Sequence, residues 1–105
     1  MQRVSIDVGL DRSLEVVLRG EVDFTNAATS AEAIRAAIVA ERPTAVRVDL
    51  AEVTFLDSSG IGVLVQAMKA AAAFDAIFRV EQPTDKVLDQ LDTAGLLEPF
   101  GVTRS

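Results

Sequence analysis

The chain contains no cysteine, no histidine, no tryptophan and no tyrosine among its 105 residues, and only three prolines. Without thiols or imidazoles it has no disulfide, no cysteine nucleophile and no histidine general base, and nearly all zinc or iron sites are removed. Most enzyme readings thereby lose their parts, so neither a cofactor nor a metal is expected, and the reading is of a protein that is not an enzyme. A cysteine-free chain is also compatible with a reducing compartment. Cationic residues are scarce: ten Lys and Arg stand against sixteen Asp and Glu, a formal charge of -6. Nucleic acids and anionic membranes recruit clustered Lys and Arg, so this balance argues against both, and a basic protein surface suits it better. The start, Met1-Gln2-Arg3-Val4-Ser5-Ile6-Asp7, lacks a signal-peptide apolar core, and no stretch is long enough to span a bilayer. The expected address is the cytoplasm.

What is present is apolar: half of the residues are hydrophobic, enough for residues 1–105 to form a single compact domain. Val4, Ile6 and Val8 alternate with polar neighbours, Gly9-Leu10-Asp11-Arg12 breaks the run, and Leu14, Val16 and Leu18 resume it, as a hairpin would. Thr25 and Asn26 suit an N-cap, and Ala28, Ala31, Ile34, Ala37 and Ile38 follow at helical spacing up to Arg42-Pro43. Val46, Val48 and Leu50 mark a third strand, and Ile61, Leu64, Val65, Met68 and Ala72 a second helix. A short strand over 76–80 precedes a third helix that starts at Pro83-Thr84-Asp85, places Val87, Leu88 and Leu91 inward and stops near Gly95. Leu96, Leu97, Phe100 and Val102 suggest one last extended piece. Strands alternating with helices after a hairpin predict an α/β fold with a mixed sheet.

One segment looks functional. Asp57-Ser58-Ser59-Gly60-Ile61-Gly62 joins the end of the third strand to an apolar helix. Hydroxyls at such a junction lie beside unpaired backbone N–H groups, so Ser58 can cap the helix or carry a phosphate. Ser59 can be the cap or a second phosphate acceptor, and the cap is the favoured reading. Gly60 and Gly62 allow either tight packing of helix on strand or close approach of a partner's backbone. No lysine follows them, so they do not form a P-loop. Glu21 and Asp23, where the second strand ends, are ordinary solvated turn residues unless the turn lies beside Ser58, which parallel second and third strands would allow. As a carboxylate pair for acid and base chemistry or magnesium they lack companions. Phe24 and Phe55 read as core, although an exposed Phe24 would indicate an interface.

Gly20-Glu21-Val22-Asp23, Asp57-Ser58-Ser59-Gly60-Ile61-Gly62 and Ala94-Gly95-Leu96, in this order and spacing, resemble the STAS domain of bacterial anti-sigma factor antagonists. The resemblance runs from the first strand to Phe100. It implies a STAS-like single domain with a mixed, mainly parallel sheet of four to five strands, an N-terminal hairpin and three to four helices. It also implies a switch protein acting in partner switching of transcription, in a stress response or sporulation. Ser58 matches the serine that an anti-sigma factor serine kinase phosphorylates and a PP2C-type phosphatase restores. Only the unphosphorylated form would bind the anti-sigma factor and release the sigma factor. Asp57, Ser59, Gly60 and Ile61 match the surroundings of that serine, and Glu21 and Asp23 the Gly-Glu-x-Asp motif, which makes these residues the implied partner-binding set. The alternative is a STAS adaptor subunit of a membrane lipid or anion transport complex. Two departures stand out. The chain stops at Ser105 where the family often carries a further segment, and Asp92-Thr93 replaces more apolar or basic residues before the Gly-Leu pair.

Overall fold

The computed structural model describes residues 3–102, so the Met1-Gln2 start and the stop at Ser105 lie outside the described residues. Its elements are β1 (Val4–Val8), β2 (Ser13–Val22), α1 (Ala27–Glu41), β3 (Ala45–Leu56), α2 (Ser58–Ala72), β4 (Ile77–Glu81) and α3 (Asp85–Thr93). The four strands form one sheet in the order β1-β2-β3-β4. The hairpin pair is antiparallel, and β2–β3 and β3–β4 are parallel. This is the mixed, mainly parallel α/β architecture that the element order predicts, with four strands and three helices. The expected last extended piece is not a strand: residues 97–101 form turns. Pro99 cannot donate to a ladder, and Phe100 instead folds inward, fully buried, while its carbonyl accepts the Val80 N–H at 2.8 Å beside β4.

Period-two patterning decides which face is covered. Leu14, Val16 and Leu18 of β2 and Val46, Val48 and Leu50 of β3 are all buried, while Glu15, Arg19, Arg47 and Asp49 alternate with them on the other face. Both parallel connections step the same way across the sheet, so right-handed crossovers set α1 and α2 side by side on one face. α1 buries Ser30, Ile34 and Ile38, and α2 buries Gly60, Val63, Leu64, Ala67 and Ala71. The α2 face is therefore rotated slightly from the expected one. Ile61, Val65 and Met68 pack partly against the core, and Ala72 is exposed. α1 ends with Arg42 in the left-handed conformation ahead of the buried Pro43, which stops the helix. On α3, Val87 and Leu91 are buried as expected, and Leu88 is half-buried.

β3 is two residues longer than β2 and carries two irregularities, where the register shifts between Val17 and Arg19 and between Gly20 and Glu21. The Asp49 carboxylate accepts the Ala51 N–H at 2.8 Å within the first of them. Beyond both, Glu21 pairs with Phe55 and Val22 with Leu56, so the two strands finish level. The loop leading to α1 and the corner leading to α2 consequently emerge side by side at the carboxyl edge of the sheet, where open α/β folds bind ligands.

Candidate functional site

Asp57 makes the corner between β3 and α2. As N-cap residue with extended backbone, it accepts the Gly60 N–H on Oδ1 at 2.9 Å. Its Oδ2 accepts the Phe24 N–H at 3.1 Å, and its own N–H donates to the Val22 carbonyl at 3.2 Å. The cap is thus Asp57, and the expectation that Ser59 caps the helix is corrected. The corner turns two residues earlier, which leaves Ser58 and Ser59 as the first two helical residues. Their N–H groups have no intrahelical acceptor.

Ser58 is exposed and Ser59 half-buried. Gly60 is buried, and a Cβ there would lie 2.2 Å from the Val22 carbonyl oxygen and 3.1 Å from Leu56. Of the two readings of the glycines, internal packing therefore describes Gly60. Gly62 has open space around it. Ile61 is half-buried at the rim of the groove described below.

The neighbouring loop is built from its own side chains. Asp23 accepts the Thr25 N–H at 2.9 Å and the Thr25 hydroxyl, while the Asp23 N–H donates to Asn26 Oδ1 at 3.1 Å. Asn26 Nδ2 donates to the Glu21 carbonyl at 3.0 Å. Asn26 occupies the N-cap position of α1 yet makes no side-chain capping bond, because its amide is spent on this loop. The two Thr25 donors, with Arg3 nearby, hold the Asp23 carboxyl below its ordinary value of 3.8, so it is anionic at neutral pH. Glu21 lies within β2 and not in a turn, Asp23 opens the loop after it, and the backbone of Val22 and Phe24 joins this stretch to the Asp57 corner. Phe24 is not core: at 79% exposure its ring stands in solvent directly after Asp23. Phe55 is half-buried and lies outside the core cluster.

α3 closes the other side. Gln90 brackets Leu56, accepting its N–H at 3.2 Å and donating to its carbonyl at 2.6 Å. Between α3 and the start of α2 runs an open groove of about 540 Å³, lined among others by Ser58, Ile61, Lys86, Gln90 and Thr93. The Lys86 ammonium sits over the Phe55 ring, 5.0 Å from its centroid. Gln90 and Lys86 went unread in the sequence. The available signal was weak: two polar residues one turn apart, each just before a buried apolar one. The site offers an exposed hydroxyl on a fixed helix end, the Asp57 carboxylate next to it, Asp89 on the same groove and the uncovered ring of Phe24. Among the described residues, no three acidic side chains converge as a metal site would require, and no helix is long and apolar enough to cross a membrane.

The same fold occurs in an anti-sigma factor antagonist from Mycobacterium paratuberculosis, with a TM-score of 0.78 and 23% identity over 97% of this chain and 85% of that one. The Bacillus cell fate determinant SpoIIAA in its phosphorylated form superimposes with a TM-score of 0.73 at 21% identity, covering 92% and 86% of the two chains. A sulfate transporter family protein from Wolinella succinogenes matches at 0.75 and 18% identity, covering 90% and 75%. No curated protein sequence matches significantly. Residues 7–105 match the STAS domain, and the chain belongs to that family.

Proposed function

We propose that residues 1–105 are a single STAS domain acting as an anti-sigma factor antagonist, a binding module in which Ser58 is the residue acted upon. Unphosphorylated, it sequesters a kinase-type anti-sigma factor and so releases the sigma factor. The kinase phosphorylates Ser58, and a PP2C-type phosphatase reverses this. The observation that carries the reading is the placement of Ser58: an exposed hydroxyl at the first position of α2, in a corner fixed by Asp57 and flanked by the exposed Phe24.

The physics of the corner supports a switch. A phosphoserine carries about -1.5 to -2 charges, which the free N–H groups of a helix start tolerate, so the fold itself need not change. A docked partner instead meets a dianion beside Asp57 and Asp23. A like charge brought to about 4 Å costs about 4 kcal/mol at an effective dielectric of 20, before screening. A third of that is about tenfold in affinity. Incubation with an anti-sigma factor kinase of the same cell and ATP, followed by mass mapping, should place one phosphate on Ser58. A partner that binds this surface yet transfers no phosphate to Ser58 would sink the switch.

The adaptor of a membrane transport complex is the second reading, favoured by the fold shared with a sulfate transporter family protein. It requires stable association with a transporter subunit and no phosphate transfer.

A further inference from the structure

Among the described residues, Lys86 is the only Lys or Arg that lines the groove containing Ser58, and the other charged side chains lining it are Asp57 and Asp89. Its backbone and its ammonium are placed by different neighbours. Gln90, one helical turn further on the same face of α3, brackets the backbone of Leu56, the residue that precedes Asp57. The ammonium itself rests on the ring of Phe55 at 5.0 Å, a weak attraction at an exposed site. A flexible four-carbon stem lets such an ammonium be redirected when a stronger anion arrives.

We propose that Lys86 is the residue of this chain that receives the phosphoryl group on Ser58: its ammonium swings from the Phe55 ring across the groove and pairs with the phosphate. The inference rests on Ser58 being the phosphate acceptor. A phosphate there shares the groove with Asp57 on its own corner and with Asp89 on α3, both of which disfavour its dianionic form. Against them stand the free N–H groups at the start of α2 and the Lys86 ammonium. Asp89, three residues beyond Lys86, competes for that ammonium, which a dianion outbids through charge-assisted hydrogen bonding. Lys86 is thus a positioning residue for the phosphorylated state. It neutralises part of the new charge toward α3 and leaves the Phe24 side as the face on which a partner meets repulsion.

The test installs phosphoserine at position 58 by genetic code expansion and follows it by phosphorus NMR. One unit charge paired at about 4 Å in water shifts a titration by about 0.8 of a pH unit. The second phosphate pKa should therefore lie about that much lower in the parent than in Lys86→Gln, be restored in Lys86→Arg, and converge between variants as salt is raised. The Lys86 ε-protons, held over an aromatic ring, should move downfield when residue 58 carries the phosphate. Equal phosphate pKa values in parent and Lys86→Gln, or ε-protons that do not move, would overturn the proposal. Lys86 is exposed, so these substitutions leave the core intact. Because the phosphate is installed without a kinase, the outcome is separate from the functional reading. Failure of kinase transfer to Ser58 sinks the switch alone, and unchanged phosphate titration sinks the role of Lys86 alone.

Discussion

Phe24 donates its backbone N–H to Asp57 Oδ2 at 3.1 Å, while Oδ1 of the same carboxylate accepts the Gly60 N–H at 2.9 Å. One side chain therefore caps α2 and ties the loop after β2 to it. Asp57→Ala should lower the unfolding free energy by about 1–2 kcal/mol in urea titration and speed amide exchange at Phe24. Asp57→Asn, which keeps an acceptor for the cap, should lose less. Unchanged stability in Asp57→Ala would mean that this carboxylate does not hold the corner.

Gly60 and Gly62 lie on one helix but should respond oppositely to the same change. At Gly60 an added methyl meets the Val22 carbonyl at 2.2 Å, a backbone atom that cannot rotate away, so Gly60→Ala should destabilise by about 1–3 kcal/mol. At Gly62 there is open space, and Gly62→Ala should stabilise by about 0.5–1 kcal/mol through helix propensity. Urea unfolding of the pair separates packing from propensity. Equal changes in both would refute the close contact.

The sheet was legible because its strands alternate strictly: Leu14, Val16, Leu18, Val46, Val48 and Leu50 all lie where period two puts them. The corner at Ser58 was legible as a strand-to-helix junction, yet the cap was misplaced by two residues. Asp, Ser and Ser are all good caps, and only the backbone angles choose between them. Asn26 shows the same limit, since a good capping residue is engaged by a loop whose geometry is tertiary. Phe24 was misread because a phenylalanine is usually buried, while this one sits in the loop between β2 and α1 at 79% exposure. Gln90 reaches Leu56 across 34 positions of sequence, and no local pattern encodes that pairing.

Asp23 and Asp11 are both held below 3.8 when folded, Asp23 first by the Thr25 hydroxyl and Asp11 first by the Ser13 hydroxyl. A depressed carboxyl contributes stability that is complete above its unfolded value and is lost as pH falls through the folded one. Stability should thus decline as pH drops below about 3.8. Asp23→Asn and Asp11→Asn should each show a shallower decline than the parent in acid unfolding curves. An identical slope would show that these hydrogen bonds do not shift the titration.

Phe24 stands in solvent at 79% exposure, so Phe24→Ala should change unfolding stability by no more than about 0.5 kcal/mol. Under the proposed function Phe24 belongs to the partner surface, and its loss should weaken binding of the anti-sigma kinase by about 2 kcal/mol, roughly thirtyfold. Calorimetry against the kinase checks both the affinity and its origin. Undiminished affinity would move the interface away from the loop after β2.

The most direct measurement is the affinity of the anti-sigma kinase for this chain with and without phosphate on Ser58, at fixed salt. The expected result is tight binding of the unphosphorylated protein and of Ser58→Ala, with a loss of tenfold or more on phosphorylation. Equal affinity of the two forms, or phosphate found on Ser59 with Ser58 unmodified, would contradict a switch at Ser58.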